Sequence, residues 1–344
     1  MTDTDKLDNF VKTLKGRKMK YLILFGLFFA LNSFGQTVFN WGIDRELFYH
    51  IRIAKEFKAF IESKTQNRVK INIDVYDVKN ENQSIQSYIE SGKYQITQSG
   101  TGNFEQVSPL VKVWEIPFLF EDFKHAEKYI VSKNAQNVLA KFTNGTMQAI
   151  DYTYSGGPLY IFSQKKMNSF DDLVGEKFSL ANDNGFSKEF LEPRKIIGLR
   201  EGDLKQAPSG EILGAGVDGI YTRDDASQLW VNITNHRMIT RIVGVSQKAL
   251  ASLSDSDRSL FVKEIKRLMK EERKFSMRGF EIGQELMKNR GTQVNVWDRK
   301  TKEIEFKKFN YSPERYANLQ SEIEYIQKLS SKQGFIRRTT ASEK

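Results

Sequence analysis

Residues 255–290 read DSDRSLFVKEIKRLMKEERKFSMRGFEIGQELMKNR, one long helical pattern. Ser254 stands ahead of it as an N-cap and Gly291 follows its end. A helix of this length reaches about 54 Å, more than the diameter of one ordinary lobe. It therefore either bridges two lobes or breaks near Gly279. Because it comes late in the chain, lobes bridged in this way are joined by more than one crossover.

Outward from this stretch the chain alternates strands and helices. Glu46–Ser63 carries apolar residues at 47, 48, 51, 54, 57 and 61, a helical stripe ended by Asn67. Val69, Ile71, Ile73 and Val75 alternate with polar residues as in a strand. A polar helix is predicted around 81–90, a strand at 94–98 and a loop at 99–102. WEIPFLF (114–120) reads as an irregular core segment interrupted by Pro117. Helical stretches follow over 122–142 and a strand over 146–152. Ser155-Gly-Gly-Pro158 is the clearest break and marks a hinge or crossover. Beyond it, strands are predicted at 159–162, 177–181, 217–221 and 236–245, a short helix at 210–214, a strand over 293–307 and a helix over 312–329. Such alternation implies an α/β fold of two lobes with the long helix spanning both. Lobe I takes 36–154 with 237–275, lobe II takes 155–236 with 276–333, and 334–344 form a tail. Ligands of such folds bind at strand C-termini facing the cleft.

Composition narrows the chemistry. The 344 residues hold no cysteine, which removes disulfide scaffolds, thiolate metal sites, cysteine nucleophiles and a lipid anchor on an N-terminal cysteine. The net charge is +10, from 53 Lys+Arg and 43 Asp+Glu. The N-terminus explains part of it. Lys15, Arg17, Lys18 and Lys20 precede the uncharged run YLILFGLFFAL (21–31), and Ser33 and Gly35 follow. Eleven apolar residues are too few to span a bilayer, which needs about 20. A basic stretch, a short apolar core and small residues make a secretory signal peptide over 1–35, with Met19 as an alternative start. Its removal takes six basic and three acidic residues and leaves +7. The remaining basic residues interleave with acids on helix faces, so no nucleic-acid partner is expected. The expected product is exported, soluble and periplasmic.

No catalytic motif stands out. Gly214-x-Gly216-x-x-Gly219 matches the dinucleotide fingerprint, but a helix is predicted before it and a strand after it, and residues 234–244 contain no acid. The glycines fit a tight turn, and no cofactor is expected. His50, His125 and His236 are far apart and no two have metal-ligand spacing. Tyr152, Tyr154, Tyr160, Tyr221 and Trp230 gather near the predicted cleft loops, either as core or as a surface on which a ligand stacks.

The order of motifs resembles the solute-binding proteins of tripartite ATP-independent periplasmic (TRAP) transporters, from about residue 40 to 330. The likeness rests on Ala54-Lys-Glu-Phe57, the Arg68-Val-Lys-Ile strand and Ile116-Pro-Phe-Leu-Phe120 with His125-Ala-Glu127. It continues through Ser169-Phe-Asp-Asp-Leu-Val-Gly-Glu-Lys177, Gly214 to Gly219, and Thr234-Asn-His236. The resemblance implies two α/β lobes that close on a ligand, no enzyme activity, and delivery of a small solute to membrane permease subunits. It also implies ligand contacts at Asn182, at Thr222, and at Asn103 with its neighbour Phe104. Tyr221, Trp230 and Arg45 complete the candidate set.

Two departures stand out. The family usually grips its ligand's carboxylate with an arginine where this chain has Ser179, and a second arginine falls near Leu159. Neither residue replaces a planar bidentate guanidinium. Either the ligand lacks a carboxylate and is held by Ser179, Asn182, Thr222 and Asn103; or Arg45, Lys188, Arg194 or Arg223 supplies the cation; or the protein has a sensory role without transport. A secreted enzyme on the same scaffold is the more distant alternative.

Overall fold

In the computed structural model, residues 36–44, 48–76, 84–104, 108–141, 146–181, 190–199, 207–308 and 316–330 are described. The leader expected over 1–35 lies outside them, as do Arg45 and Asn182. The strands are β1 (Thr37–Asp44), β2 (Val69–Tyr76), β3 (Ile96–Gly100), β4 (Met147–Ser163), β5 (Lys177–Ser179), β6 (Ile197–Leu199), β7 (Ser209–Leu213), β8 (Trp230–Ile233), β9 (Met238–Ser246) and β10 (Gln293–Val296). The helices are α1 (Phe48–Lys64), α2 (Ile85–Glu90), α3 (Phe123–Ile130), α4 (Lys133–Lys141), α5 (Gln247–Ala251), α6 (Asp255–Asn289), α7 (Arg299–Lys308) and α8 (Gln320–Leu329). None of the described helices is long and apolar enough to cross a membrane.

The ten strands of the described residues belong to one sheet, in the order β2-β1-β3-β9-β4-β7-β5-β6, with β8 between β4 and β10. β1 runs parallel to β2 and β3, while β9 is antiparallel to both β3 and β4. The 17-residue β4 carries the sheet from one lobe to the other. Up to Pro158 it pairs with β9, and Leu159–Ser163 pair with β7. The break expected at Ser155–Pro158 is thus a bulge inside a continuous strand, with the register shifting between Tyr154 and Gly157. Gly156 and Gly157 have φ of +80° and +91°, which a side chain would oppose. A Cβ on Gly157 would also lie 2.4 Å from the Phe123 ring. Pro158 is tolerated because it sits at this irregularity.

Four buried clusters cover the two faces of each half of the sheet. Helix α6 joins three of them. At one end Phe261 packs edge-on against Phe57 and beside Phe39, with ring centroids 4.9 Å apart in each pair. At the other end Met287 packs with Tyr160, Phe162 and Val231. The helix runs unbroken past Gly279, so of the two expected outcomes it bridges. Ser254 Oγ accepts the Asp257 amide at 3.1 Å, and Gly291 takes φ +65° beyond the end.

Three expectations are corrected. Residues 209–213 are strand β7 and not a helix, because they pair with β4 on one side and β5 on the other. Residues 214–222 form a 3-10 helix and not a strand. They lie directly on α6: a Cβ on Gly283 would stand 2.5 Å from the Gly214 carbonyl oxygen. The sequence around the three glycines is therefore strand then helix, the reverse of the expected order. One ground for setting aside the dinucleotide fingerprint falls with it, and the lack of an acid over 234–244 stands. The strand expected over 293–307 ends at Val296, and Arg299–Lys308 is helical, with Asp298 Oδ1 accepting the Thr301 amide at 2.7 Å.

Candidate functional site

A cavity of about 320 Å³ opens at the end of lobe II's strands. Phe162 of β4, Glu211, Ile212 and Leu213 of β7, and Ala181 after β5 form one wall; Gly216, Gly219, Ile220, Thr222 and Arg223 form the other. The lining is mainly apolar, with three polar side chains. Thr222 Oγ1 donates to the Gly219 carbonyl at 2.8 Å, which leaves its lone pairs as acceptors. Arg223 grips Asp225 with two donors, Nε to Oδ1 and a terminal nitrogen to Oδ2, each at 2.8 Å, and covers the Phe162 ring.

Glu211 is the third polar group, fully buried, and it organises the crossover to lobe I. Its Oε2 accepts the Ala181 amide at 3.0 Å, fixing the exit of β5. Arg237 donates to both carboxylate oxygens, at 2.6 and 2.8 Å through one terminal nitrogen and at 3.1 Å through Nε. His236 Nε2 lies 2.8 Å from Oε1, and His236 Nδ1 lies 2.7 Å from Thr234 Oγ1. Burial raises the Glu211 carboxyl, but the Arg237 charge and the His236 hydrogen bond outweigh it and hold it below the usual range. Burial holds the His236 imidazole below its ordinary value, so it is neutral. Its Nε2–H then donates to Glu211, and the Thr234 hydroxyl donates to Nδ1. Asn235, at φ +49°, makes the tight turn between them.

A second polar cluster lies under lobe I. His50 Nδ1 sits against Glu272 Oε1, and Gln98 Nε2 donates to the same oxygen at 2.7 Å. Burial and the nearby Arg241 hold the His50 imidazole well below its ordinary value. His125 is packed and not exposed: the Glu121 amide donates to its Nδ1 at 3.3 Å, and its Nε2 faces the Ile326 carbonyl at 2.8 Å.

The structure brings together part of the expected set. Thr222 lines the cavity, and Ala181, next to Asn182, lines it too. Ser179 lies two residues earlier, fully buried, with an Oγ that has no hydrogen-bond partner. It is packed so closely that a Cβ on Gly210 would lie 2.8 Å from its own. Asn103 sits on the 3-10 turn after β3 and donates to Ser99 Oγ at 2.7 Å. Phe104 is a lobe I core residue. Tyr221 and Trp230 are not among the residues lining the cavity. Tyr221 bonds Thr292 under the guanidinium of Arg290, and Trp230 heads β8 between Ser163 and Gln293. Arg194 covers the Phe190 ring, 3.7 Å from Asp171, and Lys188 lies outside the described residues.

Sequence reasoning missed Glu211 and Arg237. The signal was present: in SGEIL a lone acid alternates with Gly210 and Ile212 on a segment that pairs on both edges.

Comparison with known proteins adds the following. The model of the bacterial extracellular solute-binding protein family 7 matches residues 46–192. An uncharacterised Haemophilus influenzae protein is 23% identical over 270 residues, covering 74% of this chain and 79% of its own. The 2,3-diketo-L-gulonate-binding periplasmic protein of Escherichia coli is 25% identical over 129 residues, 38% of this chain and 39% of its own. Among solved structures, a TRAP periplasmic solute-binding protein of Pseudomonas putida with bound D-glucuronate superposes with a TM-score of 0.70, at 17% identity, over 87% of this chain and all of its own. One from Haemophilus influenzae with bound L-gulonate superposes with a TM-score of 0.67, at 18% identity, over 86% of this chain and 97% of its own. The fold is the two-lobe α/β architecture of these proteins.

Proposed function

We propose that this chain is a bacterial extracellular solute-binding protein of family 7, whose model matches residues 46–192, and that it captures a small organic solute between its lobes and delivers it to a TRAP-type membrane permease. The observation that carries this reading is the cavity at the end of lobe II's strands, with Thr222 and Ala181 in its wall. Its size and mainly apolar lining suit a small organic molecule. Thr222 meets the solute in the lobe II cavity, and Asn103 on lobe I is the contact this reading assigns to the other side. Closure of the lobes completes the polar contacts and excludes water, so affinity belongs to the closed state. Export by the N-terminal leader to the periplasm places the protein where the permease can take the solute from it.

Small-angle X-ray scattering tests this. A bound solute is expected to shrink the radius of gyration. A solute that stabilises the protein with no compaction argues against capture by lobe closure.

A further inference from the structure

Resting on the reading of a solute-binding cleft, we propose that the solute is an uncharged organic molecule with an apolar body, and that paired charges in the cavity wall select against a carboxylate. A buried carboxylate needs a cation with donors to give it, since desolvating an unpaired anion is costly. Among the described residues, the guanidinium of Arg223 lies in the cavity wall and that of Arg237 lies against the wall residue Glu211, and both are paired. Arg223 spends two donors on Asp225, each at 2.8 Å. Arg237 is spread over both oxygens of Glu211. Each pair sums to zero charge, and the Glu211–Arg237 pair is fully out of water.

The rest of the wall fits the same ligand. Phe162, Ile212, Leu213 and Ile220 offer apolar surface, and the glycines at 216 and 219 expose backbone. Thr222 Oγ1, having given its proton to Gly219, accepts from a ligand hydroxyl or amide and repels a carboxylate's lone pairs. At the neighbouring strand end the described residue is Ser179, buried and neutral. The described wall is therefore apolar in body, with Thr222 as an acceptor and the charges of Glu211 and Arg223 each paired.

Matched pairs differing only by CH2OH in place of COO⁻ test this on the purified protein: benzyl alcohol and benzoate, cyclohexylmethanol and cyclohexanecarboxylate, D-glucose and D-glucuronate. Thermal melts and calorimetric titrations are read together with scattering. The alcohols are expected to bind at least tenfold more tightly than their carboxylates, with apolar bodies ahead of sugars, and Thr222→Trp is expected to abolish that binding by filling the cavity. Asp225→Asn, at a part-exposed position, releases Arg223 and is expected to raise carboxylate affinity at least fivefold while leaving the alcohols unchanged. Carboxylates that bind more tightly and compact the protein overturn the inference and leave solute capture standing. Unchanged carboxylate affinity in Asp225→Asn, or alcohol binding that survives Thr222→Trp, also overturns it. If neither series stabilises or compacts the protein, the capture reading falls and this inference falls with it.

Discussion

Glu211 and Arg237, 26 residues apart in sequence, form a two-oxygen ion pair that ties β7 to the start of β9, with oxygen–nitrogen distances of 2.6 and 2.8 Å. The pair joins a strand of lobe II to the chain as it returns to lobe I. Removing one partner leaves the other charge buried and alone. Arg237→Ala is therefore expected to cost about 3–5 kcal/mol. Replacing both, as in Glu211→Gln with Arg237→Met, is expected to recover most of that loss. Urea unfolding of the single and double variants measures it. A loss below about 1 kcal/mol in Arg237→Ala contradicts the assignment, since a value that small is typical of an exposed pair.

Acid should weaken the fold. His236 and His50 are buried as neutral imidazoles with pKa values below the ordinary one. As pH falls, the unfolded chain binds their protons first, so stability is full above the unfolded value and declines as pH drops below about 6.5. The slope is about 1.4 kcal/mol per pH unit for each proton. Glu211, held below the usual range, adds loss of the same sign at lower pH. Asp151, pushed up by burial, works in the opposite direction but is one group against three. Urea midpoints at pH 7.5 and 5.5 report the balance, and His236→Gln should flatten the slope. A midpoint that rises on acidification rules this account out.

The long helix was legible in the sequence because its evidence is local: a cap, an apolar stripe and a stop within one stretch. β7 was not, because its partners are remote. A strand paired on both edges loses the one-sided alternation that marks an exposed sheet, and glycines at 210, 214, 216 and 219 blur its ends. The swap of helix and strand around Gly214 hid Glu211 as well. Thr222 was found through resemblance, whereas Tyr221 and Trp230 drew attention as aromatics and sit elsewhere. For Ser179 the sequence gives only a missing charge. Its close packing against Gly210 depends on two strands meeting 31 residues apart.

Gly283 is expected to resist substitution. In most helices Gly→Ala stabilises by about 1 kcal/mol. Here the new Cβ would meet the Gly214 carbonyl at 2.5 Å and the Val217 side chain at 3.1 Å. Displacing a backbone turn is expected to outweigh the propensity gain, for a net loss of about 1–3 kcal/mol. Thermal melts decide it; a raised melting temperature shows that the turn gives way without cost.

Ser179 should behave as a buried polar residue with no partner in the free protein. Ser179→Ala removes an unsatisfied hydroxyl and is expected to be neutral or to stabilise by up to about 1 kcal/mol, whereas Ser179→Arg should destabilise by more than about 3 kcal/mol. Unfolding of both variants without solute checks this. If Ser179→Ala loses more than 1 kcal/mol, the hydroxyl already has a role in the unliganded fold.

The passage of β4 through both lobes bears on how the chain is made. Lobe I's sheet needs β9, whose residues follow all of β5 to β8 in the chain. A ribosome must therefore deliver 246 of the 344 residues before the first-made strands can find their central partner. The opening third of the polypeptide emerges with β3 lacking the neighbour it will have in the finished sheet. Synthesis from N- to C-terminus cannot complete one half of this molecule and then the other. One half waits on β9 and the other on β10, and a chain cut short before β9 can finish neither.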